Sequence, residues 1–170
     1  MSPLDEALRR EITPGANVID VGAGMAEYHT WLVNHVRHLT LVDAHWPYLE
    51  EQRRRLREAN NVEFIHGEAP SILAQFSGFS PWAKTHLTGS ASQRYDMCLG
   101  SDFIEHLELG QARLTVELMK QLASKVVLFV PEGHHPQMND FFKMGGDHWQ
   151  THRSEWRQGD LERLGFAVEM

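Results

Sequence analysis

Glycines and an acidic residue with the spacing of a nucleotide-binding site lie near the start of the chain. An apolar run at 17–21 leads into Gly22 and Gly24, and Asp43 ends a second apolar run 21 positions after Gly22. Gly22 permits a sharp turn, and Gly24 lets a ligand approach the backbone closely. A carboxylate about 20 residues after such a turn can accept hydrogen bonds from both ribose hydroxyls of a bound nucleotide. We therefore expect an adenosine-containing cofactor here.

Two cofactor classes fit this spacing, a dinucleotide and S-adenosylmethionine. The dinucleotide fingerprint requires a small residue at position 27, where this chain has Glu27. An acid there repels a pyrophosphate, and Asp20 adds negative charge just before the turn. The cationic sulfonium of S-adenosylmethionine suits the site better, and a nicotinamide-dependent oxidoreductase stays as the less favoured alternative.

Apolar periodicity predicts strands that alternate with helices along the chain. The predicted strands are 17–21, 39–43, 62–65, 95–99, 126–130 and a sixth beginning at 166, and the predicted helices are 3–12, 25–36, one from Pro47, one ending at Phe76, 102–109, 111–123 and 154–164. This alternation predicts one α/β domain over 1–170, a parallel sheet covered by helices on both faces. Residues 77–94 are expected to form an inserted loop, and 134–153 an irregular segment on the substrate side.

Five motifs in series resemble those of the class I S-adenosylmethionine-dependent methyltransferases. They are Val-Ile-Asp-Val-Gly-Ala-Gly at 18–24, Leu-Val-Asp at 41–43, Val-Glu-Phe-Ile-His-Gly-Glu-Ala at 62–69, Tyr-Asp-Met-Cys-Leu-Gly-Ser-Asp-Phe-Ile-Glu-His-Leu at 95–107 and Lys-Val-Val-Leu-Phe-Val-Pro-Glu-Gly at 125–133. The resemblance implies a Rossmann-like, doubly wound, mostly parallel sheet of strand order 3-2-1-4-5. The chain departs from the family at Ala26, where a third glycine is usual. It also stops inside the sixth strand, so we expect a shortened or truncated region of strands six and seven.

The resemblance also implies which residues bind the cofactor, S-adenosyl-L-methionine. Asp20, Gly22 and Gly24 would surround its methionine part, Asp43 would hold the ribose, and Glu68 would lie near the adenine amino group. Gly100, Ser101 and Asp102 would line the floor near the methyl group. The full predicted set is Asp20, Gly22, Ala23, Gly24, Asp43, Ala44, Gly67, Glu68, Ala69, Gly100 and Ser101.

Three histidines are candidates for a general base, because an oxygen nucleophile would need one: His106, His134 and His152. Asp102, Glu105 and His106 are spaced to share one face of a helix. A similar pattern binds a divalent metal in some family members that act on hydroxyl groups. We expect no metal here and favour a structural or substrate-orienting role, with metal ligation as the weaker alternative.

Composition and charge indicate which partners and which compartment the protein is suited to. The formal net charge of -7 argues against broad nucleic-acid binding. No apolar run is long enough to span a membrane, and the first residues lack the apolar segment of a signal peptide. The single Cys98 fits a reducing cytoplasm.

We expect a methyltransferase acting on a small-molecule acceptor. The alternative is a non-catalytic cofactor-binding domain that serves as a partner or scaffold. An exposed edge at strand five could pair with a second copy to form a homodimer.

Overall fold

A five-stranded parallel sheet forms the centre of the protein. The computed structural model describes residues 3–76 and 94–169. Its strands are β1 Asn17–Val21, β2 His38–Asp43, β3 Val62–His66, β4 Tyr95–Ser101 and β5 Ala123–Phe129. All neighbouring pairs are parallel, in the order β3-β2-β1-β4-β5. The predicted fold class and strand order are therefore confirmed. The predicted insertion at 77–94 lies, except for Arg94, outside the described residues.

Helices connect the strands and cover the sheet. They are α1 Pro3–Glu11, α2 His29–Leu32, α3 Trp46–Arg55, α4 Ala69–Phe76, α5 Leu109–Leu122, α6 Asp147–Gln150 and α7 Gln158–Arg163, with a 3₁₀ turn at Ile104–His106. Within the described ranges no helix is long and apolar enough to cross a membrane.

The central strands are buried on both faces, which explains their nearly continuous apolar sequences. Successive side chains of β1 enter different cores: Val18 packs with Leu39, Leu41 and Leu49 on one face. Ile19 packs with residues of the other face, where α5 contributes Val116, Met119 and Leu122. This double burial fixes the register of the sheet. Because all neighbouring strands are parallel, their carboxyl ends lie along one edge.

Two predicted helices are wrong. The segment 25–36 is helical only at His29–Leu32. Its side chains and carbonyls instead form hydrogen bonds with residues outside the segment. Tyr28 and His29 both turn inward to Asp20. The Gln52 amide donates to the carbonyls of Gly24 and Ala26.

The predicted helix at 102–109 is replaced by the 3₁₀ turn. Asp102 adopts a left-handed conformation with φ of 46°, which interrupts a right-handed helix at its first residue. Asp102, Glu105 and His106 therefore do not share one face of an α-helix.

The end of the chain also differs from the prediction. Residues 166–169 form no strand, and the helix expected at 154–164 is confined to Gln158–Arg163. β5 pairs with β4 alone among the described strands, so it is an edge, and its Phe129 is 43% exposed. Homodimerisation through this edge stays a prediction.

The turn at Gly22 tolerates no side chain, which gives a test of the fold. Gly15 and Gly22 both have positive φ angles, 79° and 72°, but a Cβ on Gly22 would lie 2.3 Å from Phe103 Cδ2. A Cβ on Gly15 meets nothing within 4 Å. Gly15→Ala should lower the free energy of unfolding by about 1–2 kcal/mol, because the only penalty is the strain of a positive φ. Gly22→Ala should cost about 1–3 kcal/mol more, because Phe103 must move.

Urea unfolding of the two variants measures this difference in the free energy of unfolding. Equal losses for the two variants would contradict the packing of Phe103 against the Gly22 turn.

Candidate functional site

A pocket of about 290 Å³ opens at the carboxyl ends of the strands. Its sheet side is formed by the loops after β1, β2, β3 and β4, to which Gly22, Asp43, Gly67 and Asp102 belong. Ligands of open α/β sheets bind at this edge, beside the point where the strand order reverses. Here the order reverses between β1 and β4, so the pocket occupies the position that the topology favours.

The Asp43 side chain connects the glycine turn after β1 with the loop after β2. Its Oδ2 accepts a hydrogen bond from the Gly24 amide at 2.8 Å, and its Oδ1 accepts one from the His45 amide at 2.7 Å. Burial raises the pKa of Asp43, and these backbone bonds oppose the rise. Each oxygen keeps a second lone pair, so the carboxylate is oriented but still able to accept from a ligand.

Backbone hydrogen bonds also tie the three loops together. The amides of Gly22 and Ala23 donate to the Val42 carbonyl, at 2.9 and 3.0 Å. The Gly67 amide donates to the Asp43 carbonyl at 2.9 Å. The turns that follow β1, β2 and β3 therefore form one connected rim.

The pocket brings together six of the residues predicted to bind the cofactor: Gly22, Asp43, Ala44, Gly67, Glu68 and Ala69. Five others do not line it: Asp20, Ala23, Gly24, Gly100 and Ser101. Gly24 lies behind Asp43 and supplies the amide that orients it. A Cβ on Gly100 would lie 3.1 Å from Leu128 and 3.3 Å from Met119, so its small size serves packing.

Asp20 lies beneath the glycine turn, fully buried. Its Oδ2 accepts a hydrogen bond from the Tyr28 hydroxyl at 2.6 Å and lies 2.7 Å from His29 Nε2. Burial and the neighbouring carboxylate raise the pKa of Tyr28 well above its ordinary value, so the phenol stays a donor. In this structure Asp20 holds the segment after the turn against the sheet.

The predicted general bases lie at different places. His106 lines the pocket, and its ring packs edge-on against that of His152, with centroids 4.8 Å apart. His134 is exposed, pairs with Glu155 and does not line the pocket.

The pKa values of two buried side chains beside the pocket, Glu105 and His106, are shifted in the direction that favours the neutral form. Burial, with a smaller contribution from Asp102, raises the pKa of Glu105 to about 8. Burial and the proximity of His152 lower the pKa of His106 to about 4. At neutral pH the His106 ring is therefore unprotonated.

The second wall of the pocket comes from the segment that follows β5. His148, Trp149, Gln150 and Arg153 line it. The segment is fastened to the 3₁₀ turn, because the amides of Arg153 and Ser154 donate to the Glu105 carbonyl at 2.8 and 3.0 Å. The sequence predicts that residues 134–153 lie on the substrate side, but it does not indicate Trp149 or Arg153, since no local pattern shows where this segment returns to the sheet.

Asp140 organises the start of this segment. Its carboxylate accepts hydrogen bonds from the amides of Phe142, Met144 and Gly146 and from the Tyr48 hydroxyl. Burial alone would raise the pKa of Asp140, but these four donors outweigh it and hold the pKa below its ordinary value. Tyr48 belongs to α3 and lines the pocket, so this carboxylate couples the loop to the cofactor side.

Comparison with known proteins identifies the fold. The sequence matches no protein-family profile and no curated protein sequence. Among solved structures, it is similar to a putative methyltransferase from Bacillus halodurans C-125, with TM-score 0.66, 17% identity, and coverage of 100% of this chain and 71% of that one. It is also similar to 1,6-didemethyltoxoflavin-N1-methyltransferase from Burkholderia thailandensis, with TM-score 0.64, 18% identity, and coverage of 95% and 63%.

The likeness extends to a structure described as a putative Zn-dependent alcohol dehydrogenase from Rhodobacter sphaeroides, with TM-score 0.68, 12% identity, and coverage of 96% and 77%. The chain spans 55% of the N-methyltransferase NodS from Bradyrhizobium japonicum, another structural neighbour. These similarities and the strand order show that the protein has the Rossmann-like fold of class I S-adenosylmethionine-dependent methyltransferases.

The hydrogen bonds at Asp140 predict how the pocket wall responds to mutation. Asp140→Asn replaces one acceptor oxygen by an amide donor that faces N–H or O–H groups. Each lost charge-assisted bond costs about 1.5–3 kcal/mol. Amide hydrogen exchange at Met144 and Gly146 should therefore accelerate at least about tenfold.

The control for this variant is Glu132→Gln, the same loss of charge on an exposed side chain before the segment. Unchanged exchange in Asp140→Asn, or equal acceleration in the control, would contradict the role of Asp140.

Proposed function

We propose that the protein is an S-adenosylmethionine-dependent methyltransferase that acts on a small-molecule acceptor. One observation carries this proposal: the hydrogen bond from the Gly24 amide to the Asp43 carboxylate at the rim of the pocket. This bond holds the glycine turn and the proposed ribose-binding acid at the same pocket. An adenosyl ligand needs both features in one place.

The lining residues suggest how the cofactor would lie. Asp43 would accept from the ribose hydroxyls, and Gly67, Glu68 and Ala69 would surround the adenine. The methionine part would extend past Gly22. The Burkholderia and Bradyrhizobium neighbours were crystallised with S-adenosylhomocysteine, which supports the same cofactor here.

Charge favours this cofactor over a dinucleotide. The pocket is lined by four acids, Asp43, Glu68, Asp102 and Glu108, against one arginine, Arg153. Negative charge attracts a sulfonium and repels a pyrophosphate. In addition, α2 begins five residues after Gly24, so the turn does not present the first amides of a helix to a phosphate.

The chain's residues would act mainly by positioning. S-adenosylmethionine supplies an already activated methyl group. Phe103 and Trp149 line the pocket and would exclude water from it, while Asp43 fixes the adenosyl end. Of the three predicted bases, His106 is the one that lines the pocket and so would lie nearest a bound acceptor. His152 contacts its ring.

The size of the pocket supports a small-molecule acceptor. A volume of about 290 Å³ is near the lower end of the range for small-ligand pockets, about 300–1,000 Å³. The Burkholderia neighbour was solved with 1,6-didemethyltoxoflavin, a small molecule, bound together with S-adenosylhomocysteine. A buried, unpaired Cys98 is compatible with the proposed cytoplasmic location.

Calorimetry with S-adenosylhomocysteine tests the proposed cofactor. The wild-type protein should bind it, and Asp43→Asn should weaken binding about 10- to 100-fold, because charge-assisted bonds to the ribose are lost. Glu68→Gln should weaken binding less, since Glu68 is exposed at the rim.

Asp96→Asn is the matched control: it removes the same charge at the amino end of the sheet, where Asp96 accepts from the Asn17 amide. Failure of the wild type to bind, or equal affinity in Asp43→Asn, would overturn the proposal. Binding of NAD instead would favour the oxidoreductase. Cofactor binding without methyl transfer to any acceptor in a small-molecule extract would indicate a non-catalytic domain.

A further inference from the structure

Three side chains beside the pocket converge on one point. Glu105 and His106 belong to the 3₁₀ turn after β4, and His152 comes from the segment after β5. One potential ligand atom from each lies within 4.8 Å of the other two. Asp102, which the sequence grouped with Glu105 and His106, is not part of this convergence.

Two of the three converging side chains, Glu105 and His106, are buried and carry atoms without a hydrogen-bond partner. Glu105 is 2% exposed and His106 is 8% exposed. Neither carboxylate oxygen of Glu105 makes a hydrogen bond, and neither does Nδ1 of His106. Buried polar groups are normally paired, and leaving one unpaired costs about 1–3 kcal/mol. Three such atoms in one place indicate a group that binds there.

The backbone holds this arrangement without using the side chains. The Glu105 carbonyl accepts from the Arg153 and Ser154 amides, and the Arg153 guanidinium donates to the His106 carbonyl at 2.7 Å. His152 is fixed through its own amide, which donates to the Gln137 carbonyl at 2.9 Å. The chain thus brings the two segments together and leaves one carboxylate and two imidazoles available as ligands.

We propose that Glu105, His106 and His152 bind a divalent first-row transition-metal ion. Two imidazole nitrogens and a carboxylate suit zinc, iron, cobalt or nickel better than magnesium or calcium, which prefer oxygen ligands. Ligand atoms about 2.1 Å from one tetrahedral ion lie about 3.4 Å from each other, so the three side chains need to close by up to about 1.4 Å.

The ion would lie at the wall of the pocket, since His106 also lines it. Three protein ligands leave coordination positions for water or for an oxygen or nitrogen of a molecule in the pocket. This inference goes beyond the proposed function, because metal binding requires neither the cofactor nor methyl transfer.

Titration of the chelator-treated protein with Co²⁺ tests the site, because the visible absorption of this ion reports its ligands. We expect one equivalent to bind with a dissociation constant in the micromolar range or below. Glu105→Gln and His152→Ala should each weaken binding at least tenfold. The control His38→Ala removes an exposed histidine at the other end of the sheet and should not change the affinity.

Two results would overturn the proposal: no binding by the wild type, or binding that Glu105→Gln and His152→Ala leave unchanged. Electron paramagnetic resonance of the Cu²⁺-loaded protein keeps the test decisive if one variant fails to fold. The wild type should show two coordinated imidazole nitrogens, and His152→Ala one. These readouts need no cofactor, so they can fail while S-adenosylhomocysteine still binds, and the converse also holds.

Discussion

The position of one buried carboxylate determines the geometry of the site. Asp43 ends β2 and accepts amide hydrogen bonds from Gly24, in the turn after β1, and from His45, in its own loop. The Gly67 amide donates to the Asp43 carbonyl, so the turn after β3 joins the same connection. Three loops that are distant in sequence thereby become one rim. Position 22 requires glycine because its φ is positive and because a Cβ there would strike Phe103.

The opposite wall has a separate origin. The segment after β5 is organised by the carboxylate of Asp140 and fastened to the 3₁₀ turn through the Glu105 carbonyl. Trp156, 1% exposed, anchors its end in the core. Trp149 reaches the pocket from the single turn of helix α6, and Arg153 reaches it from the irregular stretch that follows. The sheet side would hold the cofactor, and this wall would decide what can reach it.

The sheet and the rim could be predicted from the sequence because their signals are local. A buried parallel strand is an apolar run, and its end is marked by a glycine or an acid. The order 3-2-1-4-5 was implied by the resemblance of the motifs to those of class I methyltransferases. The second wall could not be predicted, because His152 reaches Glu105 and His106 across 46 positions without a periodic pattern. The helix predicted at 25–36 failed for the same reason: Asp20 and Gln52 lie outside it in sequence but redirect its side chains and carbonyls.

The central claim is that the glycine turn and Asp43 share one adenosyl-binding pocket, and it can be tested residue by residue in solution. Titration of ¹⁵N-labelled protein with S-adenosylhomocysteine should shift the amide resonances of Gly22, Ala44, Gly67 and Ala69, whose residues line the pocket. The resonances of Gly15 and Asn17, at the amino end of the sheet, should stay in place. Shifts confined to the amino end, or none at the four rim amides at saturating ligand, would contradict the account.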